Sequence, residues 1–158
     1  DKNFVKPSLI DRQGQYPIYK RFSNETLEAE YISNLINSYL KNKYKLRDIV
    51  VIARLNNQLN EMKNYLDKAG IPATVFTGRS AFDFAEESVK LVTMHSIKGL
   101  EFKVVLAIGL NSKTMPYISG NLDEDDVEVI EARERKLLYV GMTRATEMLF
   151  LTSSDKPS

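Results

Sequence analysis

Short aliphatic runs alternate along the chain with stretches in which apolar and polar residues are mixed. Asp48–Ala53, Ala73–Thr77, Val104–Gly109 and Met148–Thr152 are rich in β-branched and aliphatic residues, which is typical of strands in a parallel sheet covered on both faces. A further strand is predicted at Tyr16–Phe22. The alternation of strands and helices predicts an α/β fold with a mostly parallel sheet flanked by helices.

Three helices are predicted between these strands. The first begins at Ser23 or Asn24, which are good N-cap residues, and carries apolar residues at helical spacing that we expect to be buried. These are Leu27, Tyr31, Leu35, Ile36, Tyr39 and Leu40. The second helix starts at Asn56 and stops at Gly70, and the third follows the acidic run 123–126, where carboxylates favour a helix N-terminus.

The length of 158 residues predicts one domain of ordinary size. Residues 1–15 are polar and lack periodicity, so we interpret them as an entry segment. The domain is expected over 16–153, and 154–158 form a polar tail.

Composition excludes several classes of protein. The sequence is 43% hydrophobic and 27% charged, and no apolar run approaches the roughly 20 residues that a membrane span needs. There is no cysteine, which excludes disulfides and thiolate metal sites, and we expect no metal site of any kind. No secretory signal is evident, so a cytoplasmic protein without membrane partners is expected.

The charges are unevenly distributed, although the net charge is only +1. Residues 123–134 carry seven acids and one base, which leaves 14 acids and 21 bases on the rest of the chain. The remainder is basic enough for a phosphate-binding face.

A polar segment between two predicted strands carries the first candidate chemistry. Residues 92–102 read Val-Thr-Met-His-Ser-Ile-Lys-Gly-Leu-Glu-Phe and include the only histidine of the chain. The order Thr-x-His-x-x-Lys-Gly-Leu-Glu-Phe resembles an ATPase motif of superfamily 1 helicases of the UvrD/Rep type.

A second motif follows in the order expected for that family. Residues 134–145 read Glu-Arg-Lys-Leu-Leu-Tyr-Val-Gly-Met-Thr-Arg-Ala and resemble the last helicase motif, Glu-Arg-Arg-Leu-Leu-Tyr-Val-x-x-Thr-Arg-Ala. The resemblance extends over 48–152 and covers the second motor domain of such helicases. It implies a three-layer RecA-like fold, of the P-loop NTPase type.

The resemblance also implies a nucleotide site. Arg144 matches the family's arginine finger, whose guanidinium neutralises charge on a transferring phosphoryl group. Glu101 matches the residue that accepts hydrogen bonds from the nucleotide sugar. Gly99 would let the backbone approach the phosphates, and Lys98 would support that loop or the nucleotide.

Three further residues are expected to contact nucleic acid. Thr93 and His95 match the family residues that reach single-stranded DNA, where a hydroxyl and an imidazole can contact the backbone or stack on a base. Arg54 follows a predicted strand, and ligands gather at the carboxyl ends of parallel strands. Its segment, 52–58, resembles the family's Leu-x-Arg-x-Asn-x-Gln near the DNA strand or the interdomain cleft. An exposed arginine that only ends a strand is the alternative.

Two family features are missing from the sequence. There is no Gly-x-x-x-x-Gly-Lys-Ser/Thr phosphate loop, so ATP and Mg²⁺ are expected to bind mainly to an N-terminal motor domain of the same polypeptide. The large accessory domain that UvrD and Rep insert before the first motif does not fit between Phe76 and Val89. The chain is therefore expected to be inactive alone and to lean toward compact relatives.

The expected partner is single-stranded or partly duplex DNA, but other functions share these motifs. A helicase-like factor that remodels RNA polymerase and a nuclease–helicase subunit are both possible readings. A non-enzymatic nucleic-acid-binding module is a third.

Overall fold

Six parallel strands form one sheet in the computed structural model of the chain, which describes residues 16–76, 83–118, 120 and 123–155. The strands are β1 (Ile18–Phe22), β2 (Ile49–Ala53), β3 (Ala73–Val75), β4 (Val89–Thr93), β5 (Phe102–Ala107) and β6 (Ala145–Ser154). They lie in the order β1-β6-β5-β2-β4-β3, and every neighbouring pair is parallel. The predicted α/β fold with flanking helices is confirmed.

Three helices connect the strands in the described part of the chain. They are α1 (Glu25–Leu35), α2 (Asn56–Lys68) and α3 (Glu124–Met142). Asn24 is the N-cap of α1, and its side-chain oxygen accepts the Leu27 N–H at 3.0 Å, as predicted from its residue type. Helix α1 continues through a π-helical segment, Ile36–Leu40, into a last short turn, Lys41–Lys43.

Alternate residues of the central strands belong to two separate hydrophobic cores, one on each face of the sheet. Ile49 and Val51 of β2 belong to one cluster, whose helical members come from α1 and α2. Val50 and Ile52 point to the opposite face and pack with Met142 at the end of α3. All five residues of β2 are buried, so the sheet is covered on both sides. The fold therefore has three layers, with the sheet between two layers of helices.

The buried stripe of α1 agrees in part with the one that we predicted, since Ile36 and Leu40 are buried. Leu27 is 43% exposed and Tyr39 is 42% exposed, whereas Ala29 and Ile32 are buried in the core. The prediction followed hydrophobicity alone, and α1 instead buries the small Ala29 and the carboxylate of Glu28. The π-helical segment also changes the residue spacing, and the buried positions run 32, 36, 40.

The strand bounds differ at several ends. The last strand was predicted at 148–152 and extends over 145–154, so it includes Ser154 of the predicted tail. Strand β3 ends at Val75, and the predicted strand residue Thr77 lies outside the described residues, as does the entry segment 1–15. No described helix is long and apolar enough to cross a membrane.

Candidate functional site

The loop between β4 and β5 exposes its polar residues and buries its apolar ones. Met94 and Ile97 are almost inaccessible and pack in the core beneath α3. His95, Lys98 and Gly99 are exposed, and Gly99 has a φ of +85°. The two apolar anchors therefore fix the loop on the sheet and leave three of the candidate site residues available to a ligand.

The amino edge of the sheet brings Glu101 and Arg144 together. Glu101 immediately precedes β5 and Arg144 immediately precedes β6, and these strands are neighbours. The N–H of Phe102 donates to the carbonyl oxygen of Arg144 at 3.0 Å, so the two candidate residues flank one backbone hydrogen bond. The second motif thus ends beside the first, although 42 positions of the sequence separate the two residues.

The last turn of α3 positions Arg144. A Cβ on Gly141 would lie 2.8 Å from Cδ1 of Ile52, so a larger residue here would require the Ile52 side chain to shift. Helix α3 ends at Met142, and the carbonyl groups of a helix C-terminus favour a cation. Arg144 therefore lies where the chain passes from the end of α3 to the amino edge of the sheet.

The side chain of Arg144 has an unsatisfied donor. Its Nε is buried and makes no hydrogen bond to any residue that the structure describes, while Nη2 donates to the Thr143 hydroxyl at 3.3 Å. A buried donor without an acceptor costs about 1–3 kcal/mol. An anionic ligand at this edge would satisfy it.

Glu101 borders a cleft of about 550 Å³ at the same edge. Its walls include Phe84 and Phe102, whose ring centroids lie 6.4 Å apart, together with Lys103 and Thr146. Glu101 itself is exposed, so its acceptor oxygens can reach a ligand.

Thr93 and Arg54 lie at the opposite, carboxyl edge. They end β4 and follow β2, and Ala53 pairs with Thr93 in the sheet register. The Thr93 hydroxyl donates to the Ser96 hydroxyl at 3.1 Å, which ties it to the loop that carries His95. The predicted nucleic-acid residues therefore share one edge, and Glu101 and Arg144 share the other.

Arg54 is held by partners that the sequence did not indicate. Its Nε donates to Oε1 of Glu134 at 2.7 Å, and its guanidinium lies 5.2 Å from the ring centroid of Tyr117. Oε1 of Glu134 also accepts the Tyr117 backbone N–H at 2.8 Å. The simple alternative of an exposed arginine that ends a strand does not fit, because the Arg54 side chain is only 16% exposed.

Glu134 is the functional candidate that sequence reasoning missed. It is the first residue of the second motif, yet it lies 80 positions from Arg54, beyond any helical or strand spacing. Its neighbours Arg135 and Lys136 are exposed, whereas the Glu134 side chain is 5% exposed. A buried acid within a charged helical segment is visible only once the fold is known.

A second buried carboxylate lies between α1 and the sheet. Oε2 of Glu28 accepts the Gly109 N–H at 2.8 Å and the Thr152 hydroxyl at 2.5 Å. Burial raises the pKa of Glu28 above its ordinary value, and these hydrogen bonds oppose the rise. No three His, Asp or Glu side chains of the described ranges converge on a possible metal-ion site.

Comparison with known proteins identifies related sequences and a related structure. Residues 6–86 and 77–156 match the family model of the UvrD-like helicase C-terminal domain. The chain is 42% identical over 90 residues to the ATP-dependent DNA helicase PcrA of Leuconostoc citreum, and 46% identical over 67 residues to that of Staphylococcus aureus. These alignments cover 52% and 42% of the chain but only 12% and 9% of the relatives, so the chain spans about a tenth of their length.

A solved structure shares the fold. The C-terminal domain of a possible DNA helicase from Lactobacillus plantarum superimposes with a TM-score of 0.69 at 21% identity. The match covers 99% of this chain and 85% of that one. At 21% identity, this similarity shows only that the two chains share a fold.

Proposed function

Because the chain belongs to the UvrD-like helicase C-terminal domain family, we propose that it is the second motor domain of a longer ATP-dependent DNA helicase. In that protein it forms one wall of the ATP cleft and part of the track for single-stranded DNA. The observation that carries the proposal is the division of the candidate residues between two edges of one sheet. Glu101 and Arg144 meet at the amino edge, and Thr93 and Arg54 meet at the carboxyl edge.

The amino edge binds the nucleotide in this proposal. Arg144 acts on the γ-phosphate, and its buried, unpaired Nε is the feature of this chain that fits an anionic group. Glu101 accepts hydrogen bonds from the sugar hydroxyls, and Gly99 and Lys98 line the approach to the phosphates. ATP supplies the phosphoryl group that is transferred, and this chain orients and neutralises it.

The carboxyl edge binds single-stranded DNA in this proposal. Thr93, His95 and Arg54 contact the sugar-phosphate backbone or stack on bases, and such binding does not depend on the base sequence. Other parts of the site, including the phosphate loop and most ligands of Mg²⁺, come from an N-terminal motor domain of the same polypeptide.

The test is a substitution of Arg144 in the longer helicase. Arg144→Ala should lower the steady-state ATPase rate at saturating single-stranded DNA by about 10³–10⁵-fold, because an arginine finger acts on charge that develops in the transition state. Nucleotide affinity in the ground state and the melting temperature should change little. Arg144→Lys should restore little of the rate, since a point charge does not reproduce the planar fork.

Arg133→Ala is the matched control, because Arg133 is an exposed arginine on the same helix. It should leave the ATPase rate within about twofold of the parent, as expected for a surface side chain far from the transition state. Near-normal turnover of a normally folded Arg144→Ala variant would show that Arg144 is not an arginine finger.

A further inference from the structure

We propose that Glu134 is a positioning residue that aims Arg54 at a phosphate of single-stranded DNA. The inference rests on the proposed function of the carboxyl edge and adds a residue that acts through Arg54 and does not touch DNA itself. Glu134 belongs to α3, the same helix that ends beside Arg144.

One carboxylate oxygen joins three elements at this edge. Oε1 of Glu134 accepts from Nε of Arg54 at 2.7 Å and from the Tyr117 backbone N–H at 2.8 Å. It therefore connects α3 with the residue that follows β2 and with the loop that follows β5. The Glu134 side chain is 5% exposed, so this oxygen is shielded from water and its hydrogen bonds are strong.

The contacts of Arg54 leave one edge of its guanidinium available. Nε is bonded to Glu134, and the Tyr117 ring covers one face of the group. Neither Nη nitrogen bonds to a residue of the described ranges, and neither belongs to the buried polar atoms without a partner, so both reach solvent. Two parallel N–H groups in a fixed plane are the arrangement that binds phosphate oxygens in pairs.

Simple electrostatics predicts that Glu134 weakens DNA binding, which is the opposite of a positioning role. A carboxylate close to a DNA-binding surface repels phosphate, so its neutralisation should strengthen binding. If Glu134 positions Arg54, its neutralisation should instead weaken binding, because an uncharged acceptor holds the guanidinium less firmly and the arginine loses some of its orientation and of its contact with the phosphate. The direction of the change therefore separates the two explanations.

The experiment measures the affinity of the 158-residue chain for a fluorescent single-stranded oligonucleotide by anisotropy, over a salt series from ~50 to ~200 mM. Glu134→Gln keeps the size of the side chain and removes its charge. We expect about 3- to 10-fold weaker binding at low salt, the loss of one well-oriented charge-assisted contact. The slope of log K against log salt should become shallower by up to about 0.7, the value for one phosphate of a single strand.

Two further variants define the controls. Glu131→Gln removes an exposed acid from the same helix and should leave binding unchanged or slightly stronger. Arg54→Ala should weaken binding as much as Glu134→Gln, and the double variant should be no weaker than Arg54→Ala alone. Unchanged or tighter binding of Glu134→Gln, with Arg54→Ala still weak, would overturn the inference and leave the proposed function intact. Absence of binding by the parent chain would overturn both.

A measurement without DNA tests the contact itself. In a ¹⁵N–¹H spectrum the Nε–H of Arg54 should exchange slowly with water in the parent chain and rapidly in Glu134→Ala, which has no acceptor at this position. A melting curve of each variant shows whether the fold survives. Rapid exchange in the folded parent would show that the ion pair does not form and would refute the positioning role.

Discussion

At the scale of single residues, the buried carboxylate of Glu28 makes the stability of the fold depend on pH. Burial raises its pKa in the folded protein, while the unfolded chain keeps the ordinary value. The folded state therefore holds the proton more tightly, and protonation of Glu28 stabilises it. This contribution is complete below the ordinary carboxyl pKa and is lost as the pH rises through the raised pKa of the folded state.

Glu28→Gln tests this dependence, because glutamine keeps the size and an acceptor oxygen but cannot ionise. The free energy of unfolding of the parent, relative to the variant, should fall as the pH rises from about 4 through the weakly acidic range. Urea unfolding at a series of pH values measures it. Glu30→Gln removes an exposed acid from the same helix and controls for net charge. A difference that rises with pH would mean that the ionised form is the favoured one.

The structural role of a residue could be predicted from the sequence where it depends on neighbouring residues, but not where it depends on partners far along the chain. The N-cap of α1 was predicted at Ser23 or Asn24, and is Asn24, because that role needs only the next turn of helix. The buried states of Glu28 and Glu134 depend on Gly109 and Arg54, which are 81 and 80 positions away. No pattern of hydrophobic spacing contains that information. The roles proposed for all the candidate site residues remain predictions: Arg54, Thr93, His95, Lys98, Gly99, Glu101 and Arg144.

At the scale of elements, Gly109 joins both helices of one layer to the sheet. Its N–H donates to Glu28 of α1, and its carbonyl oxygen accepts from Nε2 of Gln58 of α2 and from the Thr114 hydroxyl. Its φ is +67°, and a Cβ there would lie 2.2 Å from Nε2 of Gln58. Any other residue at this position would therefore have a strained backbone conformation, and its Cβ would displace the side chain of Gln58.

Gly109→Ala should lower the free energy of unfolding by about 1–2 kcal/mol for the left-handed backbone and about 1–3 kcal/mol more for the displaced contact. Gly70→Ala is the matched control, because Gly70 has a φ of +75° but open space around its Cβ position. Gly70→Ala should lose only the stability that depends on the left-handed backbone. Urea unfolding of both variants measures the difference. Equal losses would show that Gln58 moves aside without cost.

The elements themselves were largely predictable, because their signals are local. The central apolar run 48–53 became β2, with all five of its strand residues buried, and the glycine at position 70 ended α2 as expected. The strand β6 extends beyond the predicted 148–152 at both ends, where most residues are polar. At its carboxyl end these are Ser153 and Ser154, which carry no hydrophobic signal. Those residues are buried through strand pairing with β1.

At the scale of the whole molecule, the proposed cleft has only one wall. The isolated chain should therefore hydrolyse no ATP above background, even with single-stranded DNA present, because the sequence contains no phosphate loop. Phosphate release is the measurement, with the longer helicase as the positive control. Turnover by the isolated chain that Arg144→Ala abolishes would contradict the proposal, since it would place a complete site within these residues.

The arrangement of the sheet explains what the sequence could not predict about the whole molecule. Strand types followed from composition, but their order did not, because it depends on which connections cross the sheet. The order makes neighbours of the two strands that Glu101 and Arg144 precede, and the parallel direction of the strands puts Thr93 and Arg54 at the opposite edge. Both motifs were recognisable, whereas their division between the two edges became visible only in three dimensions.

The position of β6 also has a consequence for synthesis on the ribosome. Its strand lies between β1 and β5, and β6 is the sole partner of β1 in the described sheet. Among these six strands β1 leaves the exit tunnel first, and it waits without its neighbour until residues 145–154 have been translated. During that interval its open edge and the face of α1 are available to chaperones or to other nascent chains. Slowing translation near the end of this domain should lengthen the exposure.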